Sequence, residues 1–168
     1  FTVGMVSSQG IISQEGTVLV VIDVQEKLFP FIAGKERLVE NVRKLVKFAQ
    51  IVAVPIVLTE QYPKGLGRTV NEIKELIPEV SPIEKVEFSC FGSDQFKDEL
   101  KRLKAKTVVL AGIEAHICVN QTAVEGLGTC RICVVADAVS SRRIEDKDIA
   151  LERMSRSGVT VLSTEMFI

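Results

Sequence analysis

The sequence predicts an α/β fold: a doubly wound, six-stranded parallel sheet in the order 3-2-1-4-5-6, with helices on both faces. Three observations predict it. Valine, isoleucine and leucine number 24, 15 and 13 among 168 residues, enough to fill a sizeable core. Short continuous apolar runs rich in β-branched residues read as strands buried on both faces, as parallel strands are. Segments with helical apolar spacing alternate with those runs, and crossovers of that kind are right-handed. One domain spanning 1–168 is expected.

Residues 1–16 read as a polar lead-in containing Gly and Ser. The run TVLVVIDV, 17–24, is the first strand. From Lys35 to Gln50, Leu38, Val42, Leu45, Val46 and Ala49 recur at helical spacing. Pro55 opens a second strand, Ile56 to Thr59. The loop QYPKGLGR then leads to a short helix from Val70 to Ile77, which Pro78 ends. Ile83 to Val86 is the third strand. Asp94 to Lys104 alternates charge with Phe96, Leu100 and Leu103, a helix. TVVLAG, 107–112, is the fourth strand, and Ile117 to Leu127 a helix ended by glycine. Arg131 to Ala136, Asp146 to Ser157 and Val159 to Leu162 complete the pattern as strand, helix and strand.

Composition narrows the function classes. A formal net charge of −1 with mixed signs gives no electrostatic case for nucleic acid or an acidic membrane. No apolar run approaches the roughly 20 residues of a membrane helix. No basic stretch followed by an apolar core opens the chain, so a cytoplasmic protein is expected. Four cysteines without paired zinc spacing do not suggest a disulfide or zinc scaffold, and a single histidine cannot build an imidazole-rich metal centre.

In the predicted order, strands 1 and 4 are neighbours whose connections diverge. Ligands in such sheets bind beyond the carboxyl ends of the strands at that point. Asp23 stands at the end of strand 1, where a carboxylate is costly unless paired. Cys118 stands just inside the helix after strand 4, where the helix N-terminus lowers a thiol pKa. An acid and an activated thiol thus converge on one crevice. Taken singly, Asp23 also reads as a turn residue and Cys118 as a small core residue.

VVIDVQ, IEKVEFSCF and GIEAHICV, in that order, resemble the isochorismatase-like cysteine hydrolase superfamily, which includes nicotinamidases and carbamoylsarcosine amidases. The resemblance runs from about Thr17 to Thr164. The loop TEQYPKGLG is similar to the isochorismatase-domain-containing subgroup. The resemblance implies a triad of Asp23, Lys85 and Cys118, and a non-proline cis peptide between Ile113 and Glu114. It also implies an oxyanion hole from the backbone N–H groups of Glu114 and Cys118. Without it, Lys85 reads as a solvated lysine.

The activity implied is covalent hydrolysis of small-molecule amide or ureide C–N bonds through a Cys118 thioester. Relatives acting on a vinyl ether can lack the thiol, so its presence points to the amidase branch. Vinyl ether hydrolysis and a catalytically idle binding or scaffold module are the alternatives. A nucleotide-binding domain lacks its glycine fingerprint, since strand 1 is followed by VQEKLFP. Nicotinamidases hold a metal after strand 2, where this chain has Glu60 and Tyr62. No metal and no cofactor are therefore expected. A homo-oligomer, dimer or larger, is what the resemblance implies for assembly.

His116, Phe88, Phe91, Tyr62 and Gln25 are candidates for the substrate pocket. Plainer readings are helix capping for His116, core for the phenylalanines and loop cover for Tyr62. Cys90 reads as packed. Cys130 and Cys133 read as buried strand cysteines, and Arg142 and Arg143 as solvated. Glu125 and the Lys101, Arg102, Lys104 and Lys106 set read as helix-surface charge.

Overall fold

The structure is a computed structural model that describes residues 10–168. Most of the expected lead-in, residues 1–9, lies outside the described residues. The strands are β1 (Thr17–Ile22), β2 (Ile56–Gln61), β3 (Ile83–Lys85), β4 (Thr107–Ile113), β5 (Arg131–Ser140) and β6 (Thr160–Leu162). They form one sheet in the order β3-β2-β1-β4-β5-β6, and every pairing is parallel. The helices are α1 (Lys35–Ile51), α2 (Pro63–Leu66), α3 (Asn71–Lys74), α4 (Asp94–Arg102), α5 (Asn120–Gly126), α6 (Ile144–Ser157) and α7 (Thr164–Phe167). Among the described residues no helix is long and apolar enough to cross a membrane.

Strand alternation divides the interior in two. Val18, Val20 and Ile22 of β1 join Val108 and Leu110 of β4 against α4, α5 and α6, where Phe96, Leu100, Ala123 and Met154 are buried. Leu19 and Val21 join Val109, Ala111 and Ile113 against the apolar stripe of α1, Leu38, Val42, Leu45, Val46 and Ala49. Both faces of β1 and β4 are thus covered, which is why their sequences are uninterrupted apolar runs.

Several boundaries differ from expectation for local reasons. β1 stops at Ile22, because Asp23 takes a left-handed φ of 51°. The helix expected over 70–77 is one α-turn, α3, continued by tighter bonds from Leu76 N to Ile73 O and Ile77 N to Lys74 O. Pro78 disfavours α geometry in the residue before it. The helix expected from Ile117 opens earlier, in a single π-helical turn, Ala115–Val119, before α5 begins. β5 runs on past Ala136 to Ser140, and the register against β4 slips between Leu110 and Gly112.

The backbones of β1 and β4 meet closely at the switch point. Gly112 has φ 119°, and a Cβ there would run into the Ile22 backbone. Gly112→Ala is expected to cost more than about 3 kcal/mol, combining backbone strain with an unrelieved clash. Gly158→Ala has similar φ, 107°, but open space, and is expected to cost about 1–2 kcal/mol. Urea denaturation of the two variants checks the difference.

Candidate active site

Three neighbouring strands each send one polar side chain to the same place. Asp23 follows β1, Thr59 lies in β2 and Lys85 ends β3. The Lys85 ammonium donates to Asp23 Oδ2 at 2.7 Å, and both side chains are essentially removed from solvent, at 0% and 1% exposure. It donates also to the carbonyls of Glu87 and Phe88, each at 3.0 Å, so its three protons are all used. Thr59 Oγ1 donates to the other carboxylate oxygen, Asp23 Oδ1, at 2.8 Å. Asp23 N–H in turn donates to Thr59 O at 3.2 Å. Burial opposes the charge on Lys85, but the Asp23 carboxylate, with Cys90 and Cys118, outweighs it and holds the ammonium above its ordinary pKa.

Cys118 sits in the π-helical turn after β4, 6% exposed, within the electrostatic reach of both Asp23 and Lys85. The expected lowering of its pKa is corrected. Burial pushes the thiol well above its ordinary value, the Asp23 carboxylate pushes the same way, and Lys85 pulls it down without prevailing. Desolvation and a neighbouring negative charge exceed what a helix N-terminus supplies. The resting pair is therefore a neutral thiol beside a carboxylate held by an ammonium. The Ile113–Glu114 peptide, just before that turn, is cis.

A second network ties the same turn to the end of β5. Glu114 is buried, and its Oε2 accepts from Arg142 N at 3.0 Å and Arg142 Nε at 3.1 Å. His116 Nδ1 lies 2.8 Å from Ser141 Oγ and 3.9 Å from Glu114 Oε2. Arg142 is solvent-exposed, as expected from sequence, and is also paired with Glu114 across the β4–β5 junction, which the sequence did not suggest. Arg143 is exposed and reaches Glu145 at 3.9 Å. The signal that could have found Arg142 is topological: β4 and β5 are neighbours, so an acid after one can meet a base after the other.

The remaining pocket candidates separate. Phe88 and Tyr62 are half exposed and follow the carboxyl ends of β3 and β2 respectively. The Tyr62 ring covers Gly65. Phe91 is corrected to core: it is buried, edge-to-face with Phe96 at 5.3 Å. Gln25 is corrected to a clamp. It is fully buried, its Oε1 accepts from Gln61 N at 2.8 Å, and its Nε2 donates to Gln61 O and Gly67 O, both at 2.9 Å. Cys90 is completely buried, its thiol pushed up to about 11, with its N–H donated to Thr122 Oγ1 at 3.0 Å. Cys130 and Cys133 are free thiols. A cavity of about 600 Å³ opens at the amino ends of the strands, among Thr17, Val54, Arg131 and Thr160, remote from the acid and thiol.

The acid at the end of β2 is not free for a metal. Glu60 is buried, and its Oε2 accepts the N–H and hydroxyl of Thr69, each at 2.7 Å, while Oε1 takes Arg68 Nη1 at 3.1 Å. Among the described residues no group of three or more His, Cys, Asp and Glu is placed to hold a metal ion.

Residues 17–166 match the isochorismatase domain. The chain belongs to the isochorismatase family. Isochorismatase domain-containing protein 2 of Danio rerio is 39% identical over 158 residues, covering 93% of this chain and 79% of that protein. A structure from Caenorhabditis elegans described as MAR1 ribonuclease matches at TM-score 0.86 and 39% identity, over 93% of this chain and 81% of its own. An Escherichia coli protein described as an octameric hydrolase of unknown specificity shares the fold, at TM-score 0.88 and 21% identity, over 94% of this chain and 79% of its own.

In this isochorismatase-family chain the Asp23–Lys85 pair is a stability element as well. Lys85→Met leaves the Asp23 charge buried and unpaired, and is expected to cost about 3–5 kcal/mol. The double variant Asp23→Leu, Lys85→Met is expected to recover most of that loss. Because the folded pKa of Lys85 is raised, its contribution is complete below its ordinary value of 10.5 and is lost as pH climbs through the raised value. The wild type's advantage over Lys85→Met is thus expected to hold at neutral pH and to shrink as pH climbs into the alkaline range. Urea denaturation across a pH series checks all three.

Proposed function

We propose that this chain is a metal-independent cysteine hydrolase of small-molecule C–N bonds, amide or ureide. The observation that carries the reading is the buried carboxylate–ammonium pair acting on the Cys118 thiol, which is slightly exposed where the neighbouring Cys90 is sealed.

The neutral state of the thiol sets the order of events. Asp23 takes the Cys118 proton as sulfur bonds to the carbonyl carbon, so negative charge passes to the substrate oxygen without resting on sulfur. The N–H groups of Glu114 and Cys118 receive that oxygen. Asp23 returns the proton to the leaving nitrogen, the C–N bond breaks, and a thioester remains. Water then adds as Asp23 takes its proton. The C–S bond breaks, the acid leaves and the thiol is restored. Lys85 holds the Asp23 carboxyl group in place through both proton transfers, and the Glu114–Arg142 pair holds the donor turn.

Substrate size follows from access. A sulfur in a residue 6% exposed suits a small group entering end-on. An RNA substrate would ask for a basic track along the surface. A formal charge of −1 with mixed signs gives no support for one, so the activity in the nematode protein's description is not carried over. The octamer described for the bacterial neighbour supports a homo-oligomer as the working form.

A screen of small amides and ureides, read by ammonia release, tests the reading. Cys118→Ala is expected to lower turnover of any hit by at least about a thousand-fold. Iodoacetamide is expected to modify Cys118 before Cys90, Cys130 and Cys133. Full turnover in Cys118→Ala sinks the mechanism.

A further inference from the structure

We propose that Thr59 is a positioning residue that fixes the plane of the Asp23 carboxylate for proton transfer with Cys118, an inference that rests on the hydrolase reading. A carboxylate held at one oxygen can still turn about its Cβ–Cγ bond. Here the two oxygens are tied from two different strands. Lys85 of β3 holds Oδ2 at 2.7 Å, and Thr59 of β2 holds Oδ1 at 2.8 Å. Thr59 also accepts the Asp23 N–H through its carbonyl, so backbone and carboxylate are both referred to one residue of the central sheet.

Thr59 is fully buried. Its contact with Asp23 lies inside the protein, so it acts through the acid. The hydroxyl has one proton to give, and an ionised carboxylate can only accept. The Cys90 thiol also lies within hydrogen-bonding reach of Thr59, and burial pushes that thiol up to about 11, so it faces the hydroxyl as a neutral S–H that can donate to the Thr59 oxygen while the hydroxyl proton goes to Asp23. A threonine in a strand carries no functional signal of its own. Its place in the sheet supplies one, since β2 lies between the strands that carry the acid and the ammonium.

Thr59→Val keeps the branched shape and removes the hydroxyl, whereas Thr59→Ser keeps the hydroxyl. The probe is iodoacetamide, read by mass spectrometry at Cys118 from pH 7 to pH 10. The S–C bond forms as iodide leaves, and the thiol proton passes to Asp23. Thr59→Val is expected to slow this about ten-fold at pH 7, the worth of a hydrogen bond to a charged group. The buried thiol stays protonated over that range, so the slowing is expected to persist to pH 10. Thr59→Ser is expected to stay within about three-fold of wild type. Crystal structures of both variants give the second readout: the Asp23 carboxylate rotated in Thr59→Val and unmoved in Thr59→Ser. An unmoved carboxylate in Thr59→Val, or a Thr59→Ser slowed as much as Thr59→Val, overturns the inference. If wild-type Cys118 reacts no faster than the other cysteines, the hydrolase reading fails, and carboxylate orientation still decides Thr59.

Discussion

A carboxylate and an ammonium face each other at 2.7 Å in the interior of this protein, and most of the arrangement at the carboxyl edge of the sheet answers to that contact. Neither charge can be buried alone, because desolvation of each costs several kcal/mol. The pair is tolerable because the remaining hydrogen-bonding capacity is met. Lys85 spends its other protons on the carbonyls of Glu87 and Phe88, and Asp23 receives a hydroxyl from Thr59. Those partners come from β1, β2 and β3 in spatial sequence, so the sheet order itself is a condition of the pair. The chain beyond β3 must also fold back over Lys85 to present two carbonyls. This brings Phe88 to the rim and buries Cys90 and Phe91 beneath it.

The pair also decides how the thiol behaves. An ammonium alone would draw Cys118 toward thiolate, but here it comes with its own anion, and burial adds to that anion's effect. The two charges oppose each other at the sulfur, and desolvation settles the matter in favour of the neutral form. A protein built this way keeps its thiol uncharged until a carbonyl carbon is available to accept electrons. Proton transfer and bond formation are then coupled, and the geometry of the acid matters more than the resting pKa of the thiol.

Much of the frame is legible in the residues, and the reasons for the exceptions are physical. Runs such as TVLVVI and TVVLAG, apolar on both faces, mark a parallel sheet, and their alternation with amphipathic segments points to its order. Asp23 and Cys118 stand out because the strand order makes the ends of β1 and β4 neighbours. Lys85 does not, because β3 lies two places away and a long side chain conceals its reach; only resemblance to a family raises it. Thr59, Ser141 and Arg142 are silent, since a threonine in a strand and polar residues after one carry no local pattern. Gln25 and Phe91 are drawn toward the pocket by proximity in sequence. Their side chains are turned away by better partners, the backbone at Gln61 and Gly67 for one and the Phe96 ring for the other.

The loop after β2 carries the same logic outward. Glu60 stands next to Thr59 and, by strand alternation, on the opposite face. It is buried as a carboxylate and satisfied by Thr69 and Arg68, while Gln25 pins Gln61 and Gly67. A buried acid with its lone pairs spent on N–H and O–H donors is a fastener. It fixes the loop from Tyr62 to Thr69, and Tyr62 in turn donates its N–H to the Lys85 carbonyl at 2.8 Å. β2 therefore braces the buried pair twice, through Thr59 to the acid and through Tyr62 to the backbone of the ammonium. In the proposed mechanism, polarisation of a substrate carbonyl is left to N–H groups of the turn carrying Cys118. That places the demand for precision on Glu114, whose carboxylate Arg142 holds by two donors.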